Sequence, residues 1–366
     1  MNGRLTLSAR SPGDNMAKFD TAPKALYTID ELFSGFDPAR PETYKTAPDF
    51  EIYLEFVTDG GAASTNKPNV LARAEHDCTI MQLLADELHR DGVVAMMGGH
   101  AVQRGTKPYD DTAKAAFALT NLGKLVITGG GPGAMEAAHL GAAVAEGGGD
   151  LDAALAHMAK GPPDTNGMPI TIDPTKPHPI VVDDQVVADL TAYYARGWEL
   201  KAKYPKGGGV AIPTWMYGWE PTCVFAAKVG KYFQNSIRED GLLAAATDGI
   251  IYSQGSAGTL QEVFQDAAQN YYKSFPAPAE AKKGRFSPMV FLGDYWTVDD
   301  MNDAGRKTLP VKRLLDKLWL SSRDPSEGAR LVTFATTPDD AVRAIQSQPG
   351  LKVAPAIAIA KATSSG

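Results

Sequence analysis

Cysteine is nearly absent. Cys78 and Cys223 are the only two in 366 residues, far apart and in no metal-ligand spacing. Neither a disulfide framework nor a zinc site is expected, and the pair fits reduced thiols in a cytoplasmic protein. Long apolar runs are missing too: no stretch approaches the roughly 20 residues of a membrane-spanning helix, and the opening residues lack the apolar core of a signal peptide. Positive charge is in deficit, with 36 Lys plus Arg against 43 Asp plus Glu and a formal net charge of -7. A protein that grips nucleic acid non-specifically through its phosphates is therefore not expected, nor is a membrane partner. His76, His89, His139, His157 and His178 form no metal spacing and suggest no role. No metal and no redox cofactor are implied.

What is present is ordinary for a folded chain, 44% hydrophobic and 22% charged, and long enough for one large domain or a domain with additions. From Val93 a βα rhythm begins. Val93–Met97, Lys124–Thr128, Gly209–Pro213, Gly249–Ser253, Pro288–Leu292 and Leu331–Ala335 read as apolar strands; Thr112–Leu122 and Ala134–Glu146 read as helices. Near-continuous apolar strands separated by helices imply a parallel sheet covered on both faces. The expected fold is α/β: a Rossmann-like doubly wound parallel sheet over residues 91–350, an N-terminal accessory segment over 1–90, and a tail over 351–366. The rhythm breaks between Gly147 and Gly208, so residues 148–207 are expected to be an insertion packed over the sheet or against a partner subunit. That stretch holds a proline-rich run from Pro162 to Pro179 and a helix at Asp184–Lys203. Residues 1–48 read as an extended arm and Phe50–Val57 as an edge strand. A helix over 70–90 carries Leu71, Ile80, Leu83, Leu84 and Leu88 on one side.

Two strand-to-helix junctions stand out. The first is Gly129-Gly130-Gly131-Pro132-Gly133 before Ala134; the second is Gln254-Gly255-Ser256-Ala257-Gly258-Thr259-Leu260-Gln261-Glu262. Small-residue loops opening helices present backbone N–H groups at the positive end of the helix dipole, which suits a phosphate. Gly129, Gly131 and Ala134 also satisfy a Gly-x-Gly-x-x-Ala dinucleotide pattern, but no strand-terminal acidic residue follows at the needed distance, so a nicotinamide enzyme is a distant third reading. Thr259 and Glu262 fit a capping box as well, which would give Glu262 a purely structural task. Arg238, followed by Glu239 and Asp240, reads equally as a solvated surface residue. Gly98-Gly99-His100 closes the first core strand, at the edge where open α/β sheets bind ligands.

Together these segments resemble a known family. Gly129–Ala138 is similar to the GGGxxGxM motif of the Lonely Guy (lysine-decarboxylase-like) phosphoribohydrolases, and Gln254–Glu262 to their PGGxGTxxE motif. Gly98-Gly99-His100 and the run Gly131–Ala137 look most like the larger bacterial nucleotide 5'-monophosphate nucleosidases. The match covers roughly residues 92–347 less the insertion; Gln254 stands for the motif's Pro and Ser256 for its second Gly. The resemblance implies hydrolysis of the N-glycosidic bond of a nucleoside 5'-monophosphate, with Glu262 and Arg238 catalytic. It also implies that Gly255, Ser256, Ala257, Gly258, Thr259, Gly130, Gly131, Gly133, Met135, Glu136, Gly99 and His100 hold the nucleotide, and that the chain forms a homodimer or larger homo-oligomer. A catalytically impaired nucleotide-binding or sensing protein of the same fold is the alternative.

Overall fold

The computed structural model describes residues 17–162, 170–172, 180–215, 221–272, 287–298, 308–322 and 325–347. The expected tail at 351–366, most of the proline-rich run and the first sixteen positions of the arm fall outside these residues.

Seven parallel strands form the centre: β1 Val93–Met97, β2 Leu125–Thr128, β5 Val210–Ala211, β6 Lys228–Val229, β7 Gly249–Tyr252, β8 Met289–Leu292 and β9 Val332–Ala335, in the order β6-β5-β2-β1-β7-β8-β9. All residues of β1, β7 and β8 are buried, as expected of strands with both faces covered. The chain runs outward from β1 through β2, β5 and β6, then returns to lay β7 on the other side of β1. The order thus reverses between β1 and β7, and the crevice outside their carboxyl ends is where such sheets bind ligands.

Helices α4 (Lys107–Asn121), α5 (Ala134–Glu146), α8 (Asn235–Ala245) and α9 (Ala257–Tyr272) lie between the strands, and α12 (Pro338–Ser347) follows β9 and packs on α4; α10 (Lys312–Leu320) and α11 (Pro325–Leu331) precede β9. The stretch between β2 and β5 is an insertion between neighbouring strands, as expected. It carries α6 (Leu151–Met158), an antiparallel pair β3 (Ile170–Ile172) and β4 (Ile180–Val182), and α7 (Asp184–Lys203). Asp183 caps α7 by accepting from the N–H groups of Gln185 and Val186.

The N-terminal segment departs from expectation. Phe50–Val57 is not an edge strand but lies within α2 (Pro48–Thr58), begun by Pro48 in the first turn. Alternating Phe50, Ile52, Leu54 and Phe56 mimics a strand, yet the helix buries Phe50, Ile52 and Phe56 and packs Tyr53, Leu54 and Val57 against the core. An element apolar on most of its circumference loses the helical period. The described part of the arm is not extended either: Thr28 caps the short helix α1 (Ile29–Leu32) in a capping box, and Phe19, Tyr27, Phe33, Phe36 and Tyr44 are buried in the same core as the sheet. Helix α3 (Lys67–Leu88) buries Ile80, Leu84 and Leu88, but Leu71 is 59% exposed, contrary to its expected place on the apolar side. A buried ion pair ties α2 to the core: Lys231 Nζ donates to Asp49 Oδ1 at 2.5 Å and to Thr222 Oγ1 at 2.8 Å. Burial pushes the Lys231 ammonium below its ordinary pKa, and Asp49 opposes the shift.

Candidate active site

Three loops converge at the carboxyl edge of β1, β2 and β7. The N–H of Gly99 donates to Gln254 O at 2.8 Å, and the N–H of Ala134 donates to Gly99 O at 3.1 Å, so the loop after β1 is clasped from both sides. Gly133 makes the close approach possible: its φ is +68°, and a Cβ there would lie 2.4 Å from Gly99 O and 2.5 Å from His100 O. The segments Gly98–His100, Gly129–Gly133 and Gln254–Thr259 are therefore one constellation, as the motifs suggested.

The two glycine loops are not equivalent. In the first, Gly129–Gly133 is buried, the Gly130 N–H donates to Thr128 Oγ1 at 2.8 Å, and the Gly131 N–H points to Met135 Sδ at 3.4 Å. The Thr128 hydroxyl is held in turn by His139, whose Nδ1 sits 2.8 Å from Gly208 O and whose Nε2 sits 2.9 Å from Thr128 Oγ1. A carbonyl only accepts, so Nδ1 carries the hydrogen and Nε2 receives the threonine hydroxyl. Burial pushes His139 down to about 4, which keeps this tautomer neutral. Sequence reasoning gave His139 no role; it anchors the glycine turn. The second loop is open: Ser256, Ala257 and Gly258 are exposed at the start of α9, where the first-turn N–H groups have no acceptor within the helix.

Thr259 and Glu262 do not form the expected capping box. Helix α9 already begins at Ala257, with Leu260 N–H bonded to Ser256 O at 2.9 Å, so Thr259 lies inside the first turn. Its side chain is buried over Gly255, where an added Cβ would come 2.1 Å from Thr259 Oγ1. The threonine hydroxyl and the bare Gly255 interlock.

Nor is Arg238 a solvated surface residue. It is 8% exposed, and Glu239, expected to be its surface partner, is 6% exposed. Arg238 Nε and Nη2 donate to Asn235 Oδ1 at 3.0 and 2.6 Å. Nη1 lies 3.6 Å from Glu262 Oε1, and it is also the atom a Cβ on Gly129 would meet at 3.3 Å. The guanidinium thus spans from the first glycine loop to the acidic residue of the second. Glu239 braces the two helices by accepting from Asn235 Nδ2 at 2.8 Å and Gln261 Nε2 at 2.6 Å. The bracing by Asn235, Glu239 and Gln261 was not foreseen, because nothing in the linear order says that α8 and α9 lie side by side.

Glu136, expected among the nucleotide contacts, is a buried strut. Arg104 clasps it bidentately through Nε at 2.8 Å and Nη2 at 2.5 Å, and the Tyr109 and Tyr193 hydroxyls donate to Oε2 at 3.0 and 2.9 Å. Arg104 also donates to Tyr193 O at 2.8 Å, which fastens α7 of the insertion to α5 beside the first glycine loop. Burial disfavours the Arg104 charge, and Glu136 outweighs that and holds the guanidinium above its usual range. His100 is half-buried on the β1 loop. Tyr295 Oη donates to Gly255 O, and Trp296 Nε1 donates to Tyr252 O at 3.1 Å; both arrive from the turn after β8. One helical turn below Glu262, buried Asp266 accepts from Tyr252 Oη at 3.0 Å, and burial pushes its carboxyl up to about 8.

Among the described residues no cluster of three or more His, Cys, Asp or Glu is placed to hold a metal ion, and no helix is long and apolar enough to cross a membrane. No family model matches the chain, and no curated protein matches it. Among solved structures it is similar to the molybdenum cofactor binding protein from the phototrophic bacterium Rippkaea orientalis, at 15% identity over 70% of this chain and 97% of that one, with a TM-score of 0.35. A likeness of that size carries no argument about the site.

Proposed function

We propose that this protein hydrolyses the N-glycosidic bond of nucleoside 5'-monophosphates, releasing the base and ribose 5-phosphate. The observation that carries the reading is the pair of buried Arg238 and partly buried Glu262, 3.6 Å apart, lying between two glycine loops at the switch point of the sheet. The exposed start of α9 at Ser256–Gly258 receives the phosphate through backbone N–H groups and the helix dipole. The first loop, with the Gly130 and Gly131 amides turned inward, serves as a rigid wall. Cleavage builds oxocarbenium character on the ribose; the Glu262 carboxylate stabilises that charge and orients the attacking water. Arg238 fixes the carboxylate and offers a fork to phosphate oxygens. The resemblance to the Lonely Guy phosphoribohydrolases supports this assignment and extends it to a homodimer or larger homo-oligomer.

The test is direct. Purified protein is incubated with a panel of purine and pyrimidine monophosphates, and free base and ribose 5-phosphate are assayed. Product from none of them sinks the proposal. One observation favours a second reading, a nucleotide sensor without turnover: Ser256 adds an exposed side chain where the resembling motif has bare backbone. A nucleotide that raises the unfolding temperature without being cleaved supports the sensor; saturation at a hundredfold over Kd adds about 2.7 kcal/mol.

A further inference from the structure

We infer that Asp77 is a positioning residue for Arg238, and that the N-terminal segment serves the site by holding the start of the helix that carries this arginine. For its kinetic consequence the inference rests on the nucleosidase reading; for its structural claim it does not.

Helix α8 has no cap of its own. Its N-cap residue is Gln234, which makes no side-chain capping bond, and the Gln234 amide turns instead to Ser236 Oγ at 3.3 Å. The two residues that lead into the helix are held from α3 instead. Asp77, 3% exposed, takes the Phe233 N–H on Oδ1 at 2.9 Å and the Gln234 N–H on Oδ2 at 2.8 Å. Its negative charge thereby sits at the positive end of the α8 dipole. Gln234 O accepts the Arg238 N–H at 3.3 Å, so a single residue separates the clamp from the arginine's own backbone.

The clamp is itself braced. His76 Nδ1 lies 3.2 Å from Asp77 Oδ1, and Nε2 lies 2.9 Å from Tyr27 Oη. A carboxylate oxygen accepts, so Nδ1 donates to it and Nε2 faces the tyrosine hydroxyl. Burial, helped by Asp20 and other carboxylates, holds the Tyr27 phenol protonated well above its usual range. Tyr27 is fixed in turn by paired backbone bonds with Val229 at 2.9 and 2.8 Å, on the edge strand β6. Hydroxyl, imidazole and carboxylate stand in the order of a nucleophilic triad, but Tyr27, His76 and Asp77 are 7%, 0% and 3% exposed, so a substrate cannot reach them. Their product is the placement of α8. Every member comes from residues before β1, the part of the chain that the family resemblance does not cover.

The experiment compares wild type, Asp77→Asn and Tyr27→Phe by hydrogen–deuterium exchange, thermal unfolding and steady-state kinetics on a monophosphate. Asp77→Asn keeps the shape but removes the charge and sets an amide N–H2 against a backbone N–H. Exchange over residues 233–238 is expected to speed up on the order of tenfold or more while the peptides of β1 and β7 stay protected. Turnover is expected to fall on the order of ten- to a hundredfold, as for a catalytic group displaced by about an ångström. Tyr27→Phe deletes one hydroxyl, folds more readily, and should shift both readings the same way by less; if Asp77→Asn does not fold, this variant decides. Unchanged exchange over 233–238 overturns the clamp, and faster exchange with unchanged turnover overturns the positioning role. If the wild type cleaves no monophosphate, the nucleosidase reading falls while the exchange measurement still decides the clamp.

Discussion

Glu262→Gln isolates the charge at the centre of the proposed mechanism. The substitution keeps side-chain length, and because α9 starts at Ala257 there is no capping box to disturb. Unit charges 3.6 Å apart in an effective dielectric of about 20 attract by roughly 4–5 kcal/mol. Desolvation of side chains only 9% and 12% exposed opposes most of that gain. Arg238 is not stranded by the change, since Asn235 Oδ1 stays at 2.6 Å and Glu239 at 3.8 Å. The cost in stability should therefore be about 1 to 2 kcal/mol, well short of the roughly 3–5 kcal/mol for orphaning a buried charge. Catalysis should respond far more strongly. Loss of one positioned electrostatic group costs on the order of a hundred- to a thousandfold in kcat, about 2.7 to 4 kcal/mol of barrier. Nucleotide affinity should change much less, because the start of α9 is untouched. The assay is base release under saturating monophosphate, alongside ligand binding and thermal unfolding of the same preparations. Turnover within a few-fold of wild type in the glutamine variant refutes the proposed role of Glu262.

Arg238→Lys should lower turnover about tenfold or more while leaving the fold intact, since a point charge cannot reach Asn235, Glu262 and the Gly129 wall together; kinetics equal to wild type would contradict the bridging role. Gly133→Ala should weaken nucleotide binding and destabilise by about 1–3 kcal/mol, because a φ of +68° and a Cβ 2.4 Å from Gly99 O force the β1 and β2 loops apart; thermal unfolding and a binding isotherm check this. Asp266 gives a pH signature. Its folded carboxyl titrates near 8 against 3.8 ordinarily, so the folded state holds the extra proton and stability falls as pH rises between those values, by about 1.4 kcal/mol per unit. His139, pushed from 6.5 to about 4, slopes the opposite way between those limits, so above pH 6.5 Asp266 acts without that offset. Asp266→Asn should flatten the decline between pH 6.5 and 8, worth about 2 kcal/mol; an unchanged profile by denaturant unfolding would refute the assignment.

Much of the scaffold was readable from the chain alone, and the reason is periodicity. Fully buried parallel strands are short apolar runs with nothing else to be, so β1, β2, β7, β8 and β9 lie within a residue or so of where their sequences put them. Helices α5 and α7 likewise begin and end at the expected residues, α5 behind Gly133 and α7 behind the Asp183 cap. The glycine loops announced where backbone approaches backbone, and they do meet. The local signal failed wherever burial was not one-sided. Residues 48–58 are apolar around most of the helix, so they alternated like a strand, and the Pro- and Ser-bearing arm concealed the aromatic cluster of Phe33, Phe36 and Tyr44.

The chain by itself determined the order of β1, β2, β7, β8 and β9, the covered parallel sheet and the two glycine-bearing strand-to-helix junctions, because each depends on contacts close in sequence or on backbone conformations that glycine permits. Only the tertiary structure decided what the charged residues do. In the linear order Arg238 stands beside Glu239 and Asp240 and Glu136 stands alone; folding buries both, one against Glu262 and Asn235, the other under Arg104, Tyr109 and Tyr193. Asp77 lies 157 positions before the amide of Gln234 that it accepts. Such pairings are set by which surfaces the hydrophobic core brings together, and a charge taken out of water must then find its partner there, however distant in sequence.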